Sequence, residues 1–301
     1  MSEPPSTPLL IQTVVIVGVG LIGGSLAAAL KSRKVASRVI GVGRDASRIE
    51  AARDSGLIDE ATTDIATVIQ DADLVVFCTP VDCVAKDMRR AEAALIAGHR
   101  RSGAAQGHPS LFTDVGSVKS PICDELADLP HFVGSHPIAG SHRQGFEAAD
   151  PRLFEGRMCV ITPLASSPAS QVKRLEQFWQ SIGMRTTQMS PSAHDRSLAM
   201  TSHLPHIVAA SLASTLTAEN RSLTGSGFRD TTRVAAGDPG LWTGILMNNA
   251  DAVLEGIDAI QQKLSRYREA LATRHSDVIL GLLKEGQLSR TTLDKTLQSL
   301  D

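Results

Sequence analysis

Gly18-Val19-Gly20-Leu21-Ile22-Gly23 directly follows an apolar run, residues 12–17, and directly precedes a stretch of helix formers, residues 25–31. A strand, a G-x-G-x-x-G turn and a helix in that order are the fingerprint of a dinucleotide-binding β-α-β unit. The first glycine permits the tight turn, the second lets backbone approach a pyrophosphate, and the third lets helix and strand pack closely. Phosphates then lie against the free N–H groups and positive end of the helix. Gly18, Gly20, Leu21, Ile22 and Gly23 are therefore candidate cofactor contacts. The bland alternative is a glycine-rich turn that holds nothing.

The alternation continues down the chain. Residues 38–42, 74–78 and 111–115 read as strands, with 132–133, 159–161 and 185–188 as shorter candidates. Residues 46–55, 81–97 and 171–182 read as helices, and Ser120-Pro121 predicts another start, with Ser at the N-cap and Pro at the first helical position. Such alternation predicts a Rossmann-type, doubly wound, mostly parallel α/β sheet. Residues 99–110 read as a surface loop. Beyond about Ser190 the pattern turns all-helical, with breaks near Pro205, at 223–227 and at 237–240. This divides the chain into a lead-in (1–10), a dinucleotide-binding domain (11–189) and an all-α domain for substrate and dimerisation (190–301). In the last part Leu246, Ala250, Val253, Ile257, Ile260, Leu264 and Tyr267 recur at alternating spacings of four and three. That is a heptad seam, either an internal core stripe or part of a homodimer contact.

The end of the second strand bears on which cofactor. NAD-binding units usually place a carboxylate there for the ribose 2′-hydroxyl. Here the strand ends Val42-Gly43-Arg44, and Asp45 falls at a helix start, where it reads as a cap. A guanidinium binds a 2′-phosphate in a fork, so Arg44, helped by Ser47 or Arg48, favours NADP. Thr79 and Pro80 close the third strand and Asp114 lies near the end of the fourth; all three are further candidate cofactor contacts.

Composition excludes some partners. Thirty Lys and Arg against 32 Asp and Glu leave a net charge of −2, with no electrostatic footprint for nucleic acid or an anionic membrane. No apolar run is long enough to span a bilayer. The polar, Pro-rich opening has no secretory pattern, so a cytoplasmic protein is expected. Cys78, Cys83, Cys123 and Cys159 include no C-x-x-C pair and read as buried thiols.

Two further motifs lie at expected strand ends, where doubly wound sheets bind substrates: Asp114-Val115-Gly116-Ser117-Val118-Lys119 and Gly134-Ser135-His136-Pro137-Ile138-Ala139-Gly140. They are followed by Ser202-His203-Leu204-Pro205-His206, by Gly227-Phe228-Arg229-Asp230-Thr231-Thr232-Arg233, and by Asp238-Pro239 with Trp242. This succession, over roughly residues 12–270, resembles the prephenate/arogenate dehydrogenase family of tyrosine biosynthesis.

The resemblance implies an NAD(P)-dependent oxidative decarboxylation. A hydride leaves the ring carbon that bears the hydroxyl, the ring carboxylate departs as carbon dioxide, and the ring becomes aromatic. Prephenate would give 4-hydroxyphenylpyruvate, and arogenate would give tyrosine. By resemblance His136 accepts the hydroxyl proton, a task suited to a neutral imidazole. Ser117 bonds the imidazole or the substrate. Arg233 binds a substrate carboxylate, Arg229 is a second cation, and Ser202, His203 and His206 line the pocket. Their i, i+3 spacing also fits a metal pair, but no third ligand accompanies them, so no metal is expected. Where family members commonly carry Thr and an acidic residue, this chain reads Ser141-His142-Arg143. Without a fixed negative charge to meet an amine, prephenate is the expected substrate. The alternatives are an arogenate dehydrogenase, a β-hydroxyacid-type dehydrogenase, which would rely on a lysine in the helical half, and a non-catalytic NADP-sensing protein.

Overall fold

The computed structural model describes residues 11–102, 110–141 and 143–298. His142 and the lead-in, 1–10, therefore lie outside the described residues. The described chain up to Ala250 forms one compact unit, and the chain from Asp251 forms a second.

The first unit is built on five parallel strands in the order β3-β2-β1-β4-β5. They are β1 (Ile11–Val17), β2 (Ala36–Val42), β3 (Glu60–Thr62), β4 (Leu74–Phe77) and β5 (Leu111–Asp114). Helices α1 (Leu21–Ser32), α2 (Ala46–Asp54) and α3 (Val81–Ser102) make the crossovers. The strands are apolar on both faces because helices cover both. Successive side chains alternate, so Val14 and Ile16 join Leu26 and Leu30 of α1 in one core layer. Val15 and Val17 join Val84 and Met88 of α3 in the other. β3 escaped the sequence reading, since Glu-Ala-Thr carries no strand signal and is held by its ladder to Ile40–Val42. Helix α3 runs on to Ser102, so the expected loop gives up its first residues to the helix, and 103–109 lie outside the description. The two arginines there, Arg100 and Arg101, are good helix formers and no proline intervenes.

A second, three-stranded sheet accompanies the first, in the order β6-β7-β8: β6 (Gly134–Pro137), β7 (Met158–Thr162) and β8 (Arg185–Gln188). β6 runs antiparallel to β7, and β8 parallel to it. Helix α4 (Ser120–Glu125) precedes this sheet and α5 (Ala169–Ser181) crosses over within it. Phe178 and Trp179 of α5 are fully buried in the α1-side core, each such burial being worth about 2–3 kcal/mol. The strand expected at 132–133 is displaced: Phe132 makes only a bridge to Phe112, and the ladder starts at Gly134. Pro137 is tolerated because β6 is an edge strand.

The all-helical stretch begins with α6 (Pro191–Leu198), a π-helical turn (Ala199–His203) and α7 (Leu204–Ala213). Pro205 has no N–H to return to the preceding turn, and the wider π turn absorbs that loss. Next come α8 (Ser226–Thr232), a 3-10 turn (Arg233–Ala236) and α9 (Pro239–Asn248). Ile245 of α9 packs into the α3-side core. The second unit holds α10 (Ala250–Ala272, all but its first residue) and α11 (Ser276–Gln298). The heptad seam is broken by this arrangement. Leu246 belongs to α9, and Asn249 ends that helix with a non-helical backbone before α10 starts. Within α10, Val253 is buried while Leu264 is 59% exposed.

Candidate active site

The glycine turn is fitted to a phosphate-bearing ligand. Gly18 has φ of 95°, and a Cβ there would lie 2.9 Å from the Cys78 carbonyl carbon and oxygen. A Cβ on Gly23 would strike the Gly18 oxygen at 2.2 Å. At Gly20, by contrast, no protein atom lies within 4 Å of the Cβ position. The start of α1 has no side-chain cap and no acidic residue in its first turn. Its N–H groups are left for an external acceptor. Thr79 Oγ1, at the end of β4, is buried without a hydrogen-bond partner. These residues fit a dinucleotide. Beside them, Asp45 is the α2 cap, accepting from the Ser47 and Arg48 backbone N–H groups and the Ser47 hydroxyl. Arg44 is exposed with no ion-pair partner among the described residues, and Arg48 lies 3.8 Å from Glu147.

At the end of β5, Asp114 is fully buried and ion-paired with Lys119, which is equally buried. Lys119 Nζ also donates to the Ser135 carbonyl at 3.0 Å. The Ser135 hydroxyl bonds Thr113 Oγ1 at 2.8 Å and donates to the Asp114 carbonyl at 2.6 Å, and the Trp179 indole donates to it at 3.1 Å. Together they pin β6 to β5 and fix the residue that follows Ser135.

That residue is His136. It lies within β6 rather than in a loop after it, a correction to the sequence reading. Gly-Ser-His-Pro has little strand propensity and is made a strand by its tertiary bonds. His136 Nδ1 is 2.8 Å from His194 Nε2, and His194 Nδ1 is 2.7 Å from Asp195 Oδ1. Asp195 further accepts from the Lys119 and Ser120 backbone N–H groups, both at 2.7 Å. Lys119, not Ser120, is the α4 N-cap, and Asp195 supplies from a distance the acceptor that a capping side chain would.

The direction of the chain follows from its end. An ionised carboxylate only accepts, so His194 carries its proton on Nδ1 and offers a lone pair at Nε2. His136 then donates from Nδ1, and its Nε2 is an unprotonated acceptor with no partner among the described residues. Burial, His194, Lys119 and His203 together hold the His136 pKa well below the ordinary imidazole value. Burial alone would raise Asp195, but bonds from His194, Ser120 and Lys119 outweigh it and hold the carboxyl below its usual range.

His203 and His206 complete the polar lining. Asn249 Nδ2 donates to the Asp195 carbonyl at 2.8 Å and lies 3.1 Å from His203 Nδ1. A carbonyl accepts only, so the same amide donates to His203, whose proton is thereby on Nε2. Burial, with His194 and His206 adding to it, takes the His203 pKa down to about 4, against the pull of Asp195. His206 stacks on Trp242 with centroids 3.6 Å apart, and its Nδ1 is buried without a partner. A Cβ on Gly237 would meet Trp242 Nε1 at 2.5 Å, so only glycine lets the chain pass there.

The other predicted residues make no hydrogen bond to this cluster among the described residues. Ser117 is half-buried, and its hydroxyl has no partner among the described residues; the group that orients His136 is His194. Ser202 lies in the π turn. Arg229 and Arg233 are exposed without ion pairs among the described residues, and Arg233 leads the 3-10 turn that packs against α7. The Ser141 hydroxyl accepts from the Arg143 backbone N–H. The sequence reading missed Lys119, His194, Asp195 and Asn249. For His194 and Asp195 a signal existed: adjacent histidine and aspartate at a helix start, shortly before His203.

Comparison with known proteins identifies the family. Residues 26–188 match the prephenate dehydrogenase nucleotide-binding domain, and residues 190–285 match the prephenate dehydrogenase dimerization domain. A cyclohexadienyl dehydrogenase of Zymomonas mobilis is 35% identical over 93% of this chain and 95% of its own. Among solved structures, prephenate dehydrogenase from Aquifex aeolicus in complex with hydroxyphenyl propionate and NAD+ superposes with a TM-score of 0.84. It is 32% identical, over 94% of this chain and 98% of that one. Synechocystis arogenate dehydrogenase gives 0.77 at 30% identity, over 94% of this chain and all of its own (100%). The chain is an oxidoreductase belonging to the prephenate dehydrogenase family.

Proposed function

We propose that the protein oxidatively decarboxylates prephenate to 4-hydroxyphenylpyruvate, using NADP in preference to NAD, as a cytoplasmic homodimer. The single observation that carries the chemistry is the unprotonated Nε2 of His136, kept neutral by burial and aimed by His194. The nicotinamide, when bound, takes the hydride. His136 Nε2 accepts the proton of the substrate hydroxyl as the carbonyl forms. Ser117, with its hydroxyl unengaged, is available to the same substrate oxygen. His203 offers an Nε2–H, and Arg233 a guanidinium fork, to the substrate carboxylates. The stacked His206 and Trp242 make a flat wall for the ring.

The glycine turn, Thr79, Pro80 and Asp114 would hold the cofactor, and Arg44 would face the 2′-phosphate. Asp45 is spent on the α2 cap, which supports the NADP reading. The aquifex homologue was solved with NAD+, so the preference rests on this chain's own Arg44. The stretch after Gly140 has no carboxylate through Gln144, and Gln144 instead donates to Asp238 at 3.0 Å; this favours a substrate without an amine. The test is a two-by-two assay of prephenate and arogenate against NADP and NAD, followed by nicotinamide absorbance. Highest kcat/KM with prephenate and NADP is expected. Turnover of arogenate alone overturns the substrate, and equal use of both cofactors overturns the preference.

A further inference from the structure

Three segments distant in sequence converge behind the His136 ring: β6 carries the ring, α6 carries His194 and Asp195, and the start of α4 is bound by the Asp195 carboxylate. His194 is fully buried and Asp195 nearly so. Neither is placed to touch a substrate, because His194 stands on the Nδ1 side of His136, opposite the free nitrogen. Both oxygens of Asp195 are held by backbone N–H groups, so the carboxylate cannot rotate away.

We propose that His194 and Asp195 are positioning residues that lock His136 in its Nδ1–H tautomer and carry the charge it gains. This rests on the reading of His136 as proton acceptor. When the substrate O–H bond breaks, its electron pair stays on oxygen and an N–H bond forms at His136 Nε2. The resulting imidazolium keeps its Nδ1–H directed at the His194 lone pair, and His194 keeps its own Nδ1–H directed at Asp195. The positive charge thus faces a fixed negative one across a single neutral ring. Among the described residues, the remaining charged or titratable groups near His136 are Lys119, ion-paired with Asp114, His203, and the Cys159 thiol of β7.

The proposal separates three variants of the full chain. Gln in His194→Gln presents an acceptor near the position of the lost Nε2, whereas His194→Leu presents none. Asp195→Asn places an amide N–H against either His194 or a backbone N–H. The first of these reverses the His194 tautomer and puts a proton on His136 Nε2. We expect Asp195→Asn and His194→Leu to lose roughly 10²–10⁴ in kcat with KM within about threefold, and His194→Gln to recover much of the loss. The acid limb of kcat/KM should move to lower pH in Asp195→Asn, because the imidazolium loses its counter-charge. Wild-type kcat and an unmoved limb in folded Asp195→Asn and His194→Leu would overturn the proposal.

A second measurement needs neither a variant nor activity. The ¹⁵N ring spectrum of the unmutated protein should show His136 protonated at Nδ1 and bare at Nε2 at neutral pH. The reverse pattern refutes the tautomer lock even if every variant misfolds. Wild-type protein inactive on both substrates would instead fail the functional reading, while leaving the spectrum to decide the positioning.

Discussion

Lys119 and Asp114 form an ion pair with no solvent exposure on either side chain, and Lys119 spends a second N–H on the Ser135 carbonyl. The pair is thereby tied to the residue that precedes His136 on β6. Removing one partner strands the other charge in the core. Lys119→Ala is expected to cost about 3–5 kcal/mol of stability, measured by urea unfolding. A loss under about 1 kcal/mol would mean the pair is not buried as described.

The glycine turn predicts a contrast between two substitutions. Gly18→Ala forces a side chain into a positive-φ position against the Cys78 carbonyl. It should destabilise the fold by about 1–3 kcal/mol and weaken cofactor binding. Gly20→Ala meets no protein atom, so its melting temperature should stay close to that of the parent. Its cofactor affinity should nonetheless fall by about tenfold or more, because the methyl occupies the space the pyrophosphate needs. Calorimetric titration with NADP, paired with thermal melts, checks both.

Arg44 has no partner among the described residues, whereas Asp45 is consumed as a cap. Arg44→Ala should weaken NADP by about ten- to a hundredfold and leave NAD within about twofold. An equal effect on both cofactors would instead assign Arg44 to the adenine they share.

His136→Asn keeps the strand and removes the free ring nitrogen. A drop in kcat of about 10²–10⁴ is expected, with NADP affinity unchanged in the same calorimetric experiment. Arg233→Ala, on an exposed turn outside the core, should chiefly raise the KM for prephenate without lowering the melting temperature.

Stability should fall on mild acidification. Burial lowers the pKa of His136, His203 and His206, with His203 taken to about 4. A histidine with a depressed folded pKa is protonated more readily when unfolded. Its contribution is complete above the unfolded value of about 6.5 and is lost as pH falls toward the folded value. For His203 that interval runs from about pH 6.5 to about 4, with a slope of up to about 1.4 kcal/mol per pH unit. Melting temperature followed across that interval should decline, and less so in His203→Gln.

Much of the nucleotide-binding lobe was legible because its signals are local. An apolar run, a glycine spacing and a helix former follow one another within about 20 residues. β6 was not legible in this way. Gly134, Ser135, His136 and Pro137 are poor strand formers, and what makes them a strand are bonds to Thr113, Asp114 and Trp179. The same holds for the α4 start, where Ser120-Pro121 imitates a cap followed by a first-turn proline while the real acceptor, Asp195, lies 75 residues away. The motifs gave His136 and His203 but not the groups that decide which nitrogen carries the proton: Asn249 stands in no diagnostic pattern, and the His194-Asp195 pair at a helix start takes its meaning only from contacts across the fold. The seam loses Leu246, because periodicity carries no notice of the break at Asn249, while its positions from Ala250 to Tyr267 lie on the single helix α10.

Because His136 sits on a ladder rung opposite Val160, its ring is anchored by the sheet and not by the segment that comes next. Residues 138–141 and 143–144 can therefore change in charge without shifting the His136 backbone. Geometry carried by a ladder rung leaves the neighbouring residues free to vary while the ring keeps its place.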